Sequence, residues 1–512
     1  MTALPSVLYT NGRFYAAADP RATAMLVRGG SIAWLGDAAG APAADRRVDL
    51  GGLLVTPAFV DAHLHATDTG LAFDGLDLSG VRSASELLEK VAVFAAGKDE
   101  GGLVHGHGWD ESTWADQTPP AAAELERAAA GRRVYLSQAS VHSALASTAL
   151  LVAAEGIAGY DASGWVRERA HHAVRAVALG ALTPRQRTAA QRTALARAAS
   201  LGIAAVHECA GPGTSSEDDL RSVLALSGAG LPRVYGYWGE LGGAERAREL
   251  GAIGAAGDLY ADGALGSRTA SLRHPYHDGD HGVGEAFVSA EQAAEHLLGC
   301  MRAGVQGGFH AIGDAAIEAV LDGFALAAKR AGVDEVRAAG HRIEHVELID
   351  KPMIGRMVEF GVTASVQPVF DALWGGTDRM YAQRLGRARA LASNPIGQLH
   401  ATGVPLAFGS DSPVTALDPW SVVVAAAAPS NPAYRMSVRS AFAASSRGGW
   451  RAARVADAGV LAPGKAATFA VWETPGGVRD GLPDLLPDVD GVAPRRPVCR
   501  RTVLDGETIY EA

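Results

Sequence analysis

Lysine is nearly missing from this chain of 512 residues: Lys90, Lys98, Lys329, Lys351 and Lys465 are the only lysines among 46 basic residues. A basic excess is missing too, because 56 acidic residues leave a formal charge of −10. A nucleic acid or an anionic membrane needs a concentrated basic surface, so neither is an expected partner. Cysteine is limited to Cys209, Cys300 and Cys499, an odd number at wide spacing. That argues against a disulfide framework and against a cysteine-based zinc site. No run of about twenty apolar residues could span a bilayer; the apolar stretch 422–428 is short and gives way to Pro429 and Asn431. The first residues lack the basic start and apolar core of a signal peptide. The expectation is a cytoplasmic enzyme. What is present, 48% hydrophobic and 20% charged residues, is the balance of a globular protein with room for two or three domains.

Both ends of the chain read as β-structure. Residues 6–15, 24–34 and 47–55 carry β-branched or aromatic residues between the turn signals Asn11-Gly12, Gly29-Gly30 and Gly51-Gly52. Residues 468–472 and 502–510 look alike, so the termini are expected to meet in one composite β-domain. The middle alternates short apolar strands with helices rich in Ala, Leu and Arg, the pattern of a parallel α/β domain. Eight strands are predicted, at 58–65, 202–208, 233–238, 257–263, 305–310, 341–347, 362–368 and 404–411. Eight strand–helix units are the count for a closed barrel. The gap after the first strand is too long for one crossover, so residues 66–182 hold an insertion of α/β texture. The predicted domains are 1–57 and 441–512 for the composite β-domain and 58–440 for the barrel.

The strongest chemical signal lies at 56–65 (TPAFVDAHLH), where His63 and His65 stand two apart at the end of a strand. That spacing sends both imidazoles to one face, and at the C-terminal end of a barrel strand that face is the active-site mouth. His310 ends the fifth strand, His345 the sixth and Asp411 the eighth. Imidazoles and a carboxylate converging on one mouth suit a Lewis-acidic metal that lowers the pKa of a water. Asp411 is placed to accept that water's proton and pass it to a leaving amine. This is a hydrolase constellation.

These residues resemble the metal-dependent amidohydrolase superfamily, with His-x-His on strand one, His on strands five and six, and Asp on strand eight. Gly108-Trp109-Asp110, residues 261–270 (ADGALGSRTA), 310–314 (HAIGD) and 342–345 (RIEH) are similar to the branch that contains N-substituted formamide deformylases. Residues 461–465 (LAPGK) resemble the superfamily's entry into its C-terminal β-domain, although the usual Ala-Asp that follows reads Ala467-Thr468. The resemblance implies a (β/α)8 TIM barrel with an α/β insertion after strand one and a composite β-sandwich from both termini. It also implies a homodimer as the assembly to test.

One departure bears on the metal. In this branch a lysine commonly stands four residues before the Asp of the Asp-Gly motif and, once carboxylated, bridges two metals. Here Asp258 holds that position. Either Asp258 bridges two ions as a carboxylate, or the site holds one. The shorter side chain favours one ion on His63, His65, His310 and Asp411, with His345 as ligand or water-orienting partner. Zinc is the expected ion, with iron, manganese and nickel as alternatives of overlapping preference.

Other residues divide between site and scaffold. The resemblance gives His142 a role in covering substrate or polarising its carbonyl, against a local hydrogen bond. Asp262 and Arg268 bind substrate or pin their loop, and Asp314 orients His310 or caps the next helix. Trp109, Tyr260, Phe370 and Trp374 would line the pocket. Glu344, adjacent to His345, should face the other way and form a structural salt bridge. His207 and Glu208 could line the mouth, and the loop 272–287, with His274, His277 and His281, reads as a flexible polar lid. His105 and His107 read as pocket wall, while His171, His172 and His296 read as surface residues.

The expected activity is hydrolysis of a non-peptide carbon–nitrogen bond in a small molecule, an N-substituted amide or formamide. The alternatives are deamination of an aminoheterocycle, or a non-hydrolytic isomerase, lyase or catalytically silent member of the fold.

Overall fold

Short runs of β-branched, aromatic and small residues pair side by side into one parallel sheet. Its strands are β1 (Phe59–Leu64), β2 (Ile203–Ala210), β3 (Arg233–Trp238), β4 (Gly254–Ala255), β5 (Gln306–Ala311), β6 (Arg342–His345), β7 (Thr363–Val366) and β8 (Leu406–Phe408), in that order around the sheet. A Leu64–Ser412 bridge and the bonds His65 N to Ser412 O (3.1 Å) and Asp411 N to His63 O (2.8 Å) join the chain beyond β8 to β1. Helices between the strands complete the (β/α)8 barrel. The computed structural model describes residues 5–98, 101–111, 114–138, 143–180, 182–279, 282–486 and 495–512.

The helices carry their own start and stop signals. Ala290–Ala303 begins at Ser289, whose side chain accepts the Gln292 N–H, and ends at Gly304 with φ +73°. Lys351–Phe360 is capped by Asp350, carries Pro352 in its first turn and stops at Gly361 with φ +64°. A polar N-cap satisfies orphan amides, and glycine accepts the left-handed turn that ends the helix.

The fourth strand differs from expectation. The segment 257–263 alternates like a strand, but regular pairing stops at Ala255, and Gly257 turns the chain with φ +74°. Beyond it only single bridges remain, Tyr260 to His310 and Asp262 to Ala286. Asp258 therefore sits on a turn rather than in a strand.

The termini do share a sheet. Arg13–Phe14 and Leu54–Pro57 pair into the five-stranded sheet completed by Phe469–Glu473, Val498–Leu504 and Glu507–Glu511. A second sheet, of Val7–Thr10, Ala24–Arg28, Ser31–Gly36 and Arg46–Asp49, packs on it through Tyr9, Met25, Ile32, Val55, Phe469 and Val471. This is the composite β-sandwich. Its strand Leu54–Pro57 leads directly into β1, where the Phe59 ring meets Trp420, Phe442 and Trp472 edge-on at 4.7, 5.2 and 5.8 Å. Each such pair adds about 0.5–1.5 kcal/mol beyond area burial, which anchors the strand that carries His63 and His65.

By internal contacts the chain divides into one unit running to His65 and resuming at Leu195, and a second spanning Ala66–Ala194. The second has a five-stranded sheet in the order Trp165–Arg167, Ser143–Ala146, Arg133–Gln138, Leu103–Trp109, Leu76–Asp77. Trp109 is wholly buried in this unit's own core, and its indole N–H donates to Leu136 O at 2.9 Å. Two histidines read as surface residues are buried. His171 meets the Tyr135 hydroxyl at 2.7 Å, and His296 accepts the Gly242 N–H and donates to Ala255 O. Their helices turn those positions inward, which the Ala/Arg-rich composition concealed. The His172 side chain lies outside those described. Among the described residues, no helix is long and apolar enough to cross a membrane.

Candidate metal centre

The backbone at the barrel mouth is bent into an uncommon conformation. His345, Val346 and Asp411 have φ of +71°, +53° and +55°, a region that costs non-glycine residues energy and that recurs where structure serves a site. Because β6 ends in this turn, side-chain alternation breaks between Glu344 and His345. Both therefore reach the interior, contrary to the expectation that Glu344 faces away.

Beneath the mouth lies a buried ion pair. Arg342 donates to Glu344 through Nε (2.5 Å) and Nη2 (2.8 Å), and also to Ala62 O, Ser365 Oγ and His207 Nδ1. Its guanidinium stands 4.3 Å from the Tyr237 ring centre. Burial works against the charge on Glu344, but Arg342 and His63 hold its carboxyl well below the usual range. Glu344 then receives the Nδ1–H of His63 at 3.0 Å. The salt bridge expected of Glu344 is present, and it also orients an imidazole.

That contact fixes what the other nitrogen of His63 can do. With its proton on Nδ1, neutral His63 presents a lone pair at Nε2, which lies 3.3 Å from Asp258 Oδ1 and 3.5 Å from Asp411 Oδ1. His65 Nε2 lies 3.3 Å from Asp258 Oδ2 and 3.1 Å from Asp411 Oδ1. Contacts this close call for positive charge among them, either protons on imidazoles whose pKa the two carboxylates raise or a metal ion in their place. Tetrahedral zinc with N and O ligands at about 2.0–2.1 Å spaces those atoms about 3.3 Å apart, and the four contacts cluster around that edge length. His63 Nε2 and Asp258 Oδ1 are buried without a hydrogen-bond partner. The donor set fits a divalent metal.

The remaining histidines are prepared in the same way. His345 Nδ1 donates to Gln367 Oε1 at 2.8 Å, leaving Nε2 free for the site. Burial and the nearby His310 and His63 push its pKa down to about 3, so it is a neutral imidazole. His310 Nδ1 stands 3.6 Å from Asp262 Oδ1, and the Asp262 carboxylate accepts the N–H groups of Ser271, Ile312 and Gly313. The His310 and His345 rings are 4.5 Å apart. Such outer partners are what orient metal-ligating histidines. Burial opposes the charges on Asp258 and Asp411, yet His63 and His65 hold both carboxyls below the usual range. Two three-donor sets bring their ligand atoms within 4.8 Å of one another, His63–His65–Asp411 and His63–Asp258–His345. His310 belongs to neither.

Tyr260 is half-buried, its ring 4.7 Å from His310 and its hydroxyl donating to Asp258 Oδ2 at 3.4 Å. Phe370 stacks on His345 with centroids 5.8 Å apart, and Trp374 packs on Phe370 at 4.8 Å. Arg268 is committed to Asp278, which also holds Arg384, and Arg389 binds His274 O and Pro275 O. The loop expected to be a flexible lid is thus clamped to the helices at 380–392. Asp314 opens the helix Asp314–Ala331 and accepts the Arg273 N–H at 2.9 Å. His207 lies under the mouth as an acceptor for Arg342, and His107 Nε2 donates to Ala72 O within the insertion. His142 and His281 fall outside the described residues. Three residues with site contacts escaped the sequence reading: Arg342, Gln367 and Cys209, whose thiol joins His63 and Glu344 in a further donor set. Gln367 had a usable signal, a polar residue directly after a barrel strand.

A profile of the amidohydrolase family matches residues 46–510. The chain belongs to the amidohydrolase family. This amidohydrolase is 25% identical to the putative amidohydrolase YtcJ of Bacillus subtilis, over 76% of each chain. It is 24% identical to an N-substituted formamide deformylase of Arthrobacter pascens, over 82% of this chain and 83% of that protein. Among solved structures, an uncharacterized metal-dependent hydrolase from Pyrococcus furiosus is 26% identical with a TM-score of 0.78, covering 93% of this chain and all of that one. Barrel, β-sandwich and strand-end donors together make the chain a member of the metal-dependent amidohydrolase superfamily.

Proposed function

We propose that this amidohydrolase cleaves a carbon–nitrogen bond other than a peptide bond, in an N-substituted amide or formamide of a small molecule. The observation that carries the reading is Asp411, whose Oδ1 lies within 3.5 Å of both His63 Nε2 and His65 Nε2 at the open end of the barrel. A divalent ion held there, zinc first among the candidates, supplies Lewis acidity and lowers the pKa of a water.

The residues supply the rest. Glu344 orients His63 and Gln367 orients His345 for the site. Asp411 takes the proton of the attacking water and returns it to the departing nitrogen, which leaves as a neutral amine. Tyr260, Phe370 and Trp374 form an aromatic wall for the substrate's N-substituent.

The purified chain, supplied with zinc or manganese, is offered N-substituted formamides, other amides, cyclic ureas and aminoheterocycles. Release of amine and carboxylate from the amides is expected, and His63→Ala and Asp411→Asn should abolish it while the circular dichroism stays unchanged. Ammonia from the heterocycles alone would replace this reading with a deaminase. Metal uptake without turnover on any class would point to a non-hydrolytic member.

A further inference from the structure

We infer that the insertion holds a binding site of its own, which takes a small monocarboxylate with an apolar or aromatic body. The site is a crevice of about 260 Å³ whose lining falls wholly within the unit Ala66–Ala194. It is independent of the metal-dependent reading above.

The crevice follows from where two helices meet. Ala66–Asp74 and Pro184–Ser200 touch at Gly70, where a Cβ would fall 1.8 Å from Ala190 O. A turn earlier in the first helix, Thr67 Oγ1 accepts from Gln191 Nε2 at 2.9 Å. Toward the end of the first helix and the start of the second the gap stays open, since Gly75 and Ala189 line it and neither has a side chain long enough to fill it. The helix Ala84–Ala96 and the residues after it supply the third wall, with Phe94, Gly97 and Lys98.

The floor is apolar and the rim is cationic. Leu71, Leu103 and Leu182 are buried at the floor, and the half-buried Phe94 adds an aromatic face. His105, also in the lining, stacks on Tyr135 with centroids 5.8 Å apart; burial pushes its pKa down to about 4, so it adds polarity without charge. Lys98, one of the five lysines, holds Nζ 4.3 Å from the Phe94 ring centre. Its main chain is fixed on both sides, the N–H donating to Ala95 O at 3.1 Å and the carbonyl accepting from Arg132 Nη2 at 3.2 Å. Arg185 stands exposed on the rim, and among the described lining residues only Asp74 carries a carboxylate. In a chain of net charge −10, two cations over an apolar floor select an anion that also has an apolar body, because a charge-assisted bond is strong and the floor rewards burial. Drug-sized ligands occupy about 300–1,000 Å³, so this smaller crevice suits a molecule of the size of phenylacetate.

The test is calorimetric titration of the full chain with phenylacetate, 2-phenylethanol and inorganic phosphate, before and after chelation of metal, with hydrogen exchange followed alongside. Phenylacetate should bind in both states, at least about tenfold more tightly than the uncharged alcohol or phosphate, and should slow exchange in the segments 66–74 and 184–200. Lys98→Ala should weaken it about tenfold or more, Lys98→Arg should preserve it, and Ala189→Phe, which fills the crevice from an exposed position, should abolish it. Equal affinity for the alcohol or for phosphate overturns the ligand class. Binding that is lost on chelation, or that survives both Lys98→Ala and Ala189→Phe, places the carboxylate outside the crevice and overturns the site. So does the absence of phenylacetate binding at millimolar concentration, or protection confined to other segments, and these arms on the unaltered chain decide even if a variant misfolds.

Discussion

Glu344 accepts the Nδ1–H of His63 at 3.0 Å while Arg342 grips the same carboxylate through two nitrogens. The relationship joins fold to chemistry. A buried ion pair is a weak source of stability by itself, because desolvation offsets most of the attraction. Here it sets the tautomer of an imidazole, and through it the direction of a lone pair.

Glu344→Gln should therefore weaken metal binding. Loss of an outer partner typically lowers affinity about 10–100-fold, and an unpaired buried Arg342 should cost about 3–5 kcal/mol of stability. Chelator competition reads the first effect and denaturant unfolding the second. Unchanged metal retention would reduce Glu344 to a structural partner of Arg342.

Metal removal should lower the unfolding temperature. Asp258 and Asp411 are buried beside His63 and His65, so stripping the ion leaves two buried carboxylates that only proton uptake by the imidazoles can compensate. A ligand at 100 times its dissociation constant stabilises by about 2.7 kcal/mol. Thermal scans before and after chelation, and after zinc is restored, should move down and back.

The seam between β8 and β1 depends on Gly409. A Cβ there would fall 2.5 Å from His63 N and 2.8 Å from its Cβ. Gly409→Ala should push β1 away, at a cost of about 1–3 kcal/mol, and lower kcat by displacing His63. Unfolding and steady-state kinetics check it; wild-type turnover would show that the seam yields without moving the histidine.

His341 offers a test of pH. It is buried, and its Nδ1 accepts the Gly307 N–H at 2.8 Å. Burial and then Arg454 push its pKa down to about 3 from 6.5. Below pH 6.5 the unfolded chain binds a proton that the folded chain refuses, so stability is complete above that value and declines as pH falls toward 3. At pH 4.5 the loss from this group is on the order of 2–3 kcal/mol. His341→Asn keeps an acceptor for Gly307 but cannot titrate. Its unfolding free energy should be lower at pH 7.5 and fall less steeply between pH 6.5 and 4.5; an identical slope would remove His341 as a cause.

The barrel was legible because each strand end carried its chemistry in sequence. His63, His65, His310, His345 and Asp411 announce themselves by residue type and by the apolar run before them. What stayed hidden depended on the path of the main chain. The alternation at 257–263 mimics a strand, whereas Asp258 stands on a bend just after Gly257. Alternation points Glu344 outward only while a strand continues, and β6 stops at His345. His171 and His296 show the same limit in helices, where small neighbours erase the contrast between inner and outer faces.

The sheet that mixes both termini has a consequence for synthesis. Trp472 Nε1 donates to Thr56 Oγ1 at 2.9 Å across 416 residues of sequence. The strand preceding His63 and His65 leaves the ribosome about four hundred residues before its neighbour in the sheet. Contacts of such separation form slowly, and a nascent chain exposes its unpaired strand edge until they do. The first ligands made are thus among the last to be fixed in place.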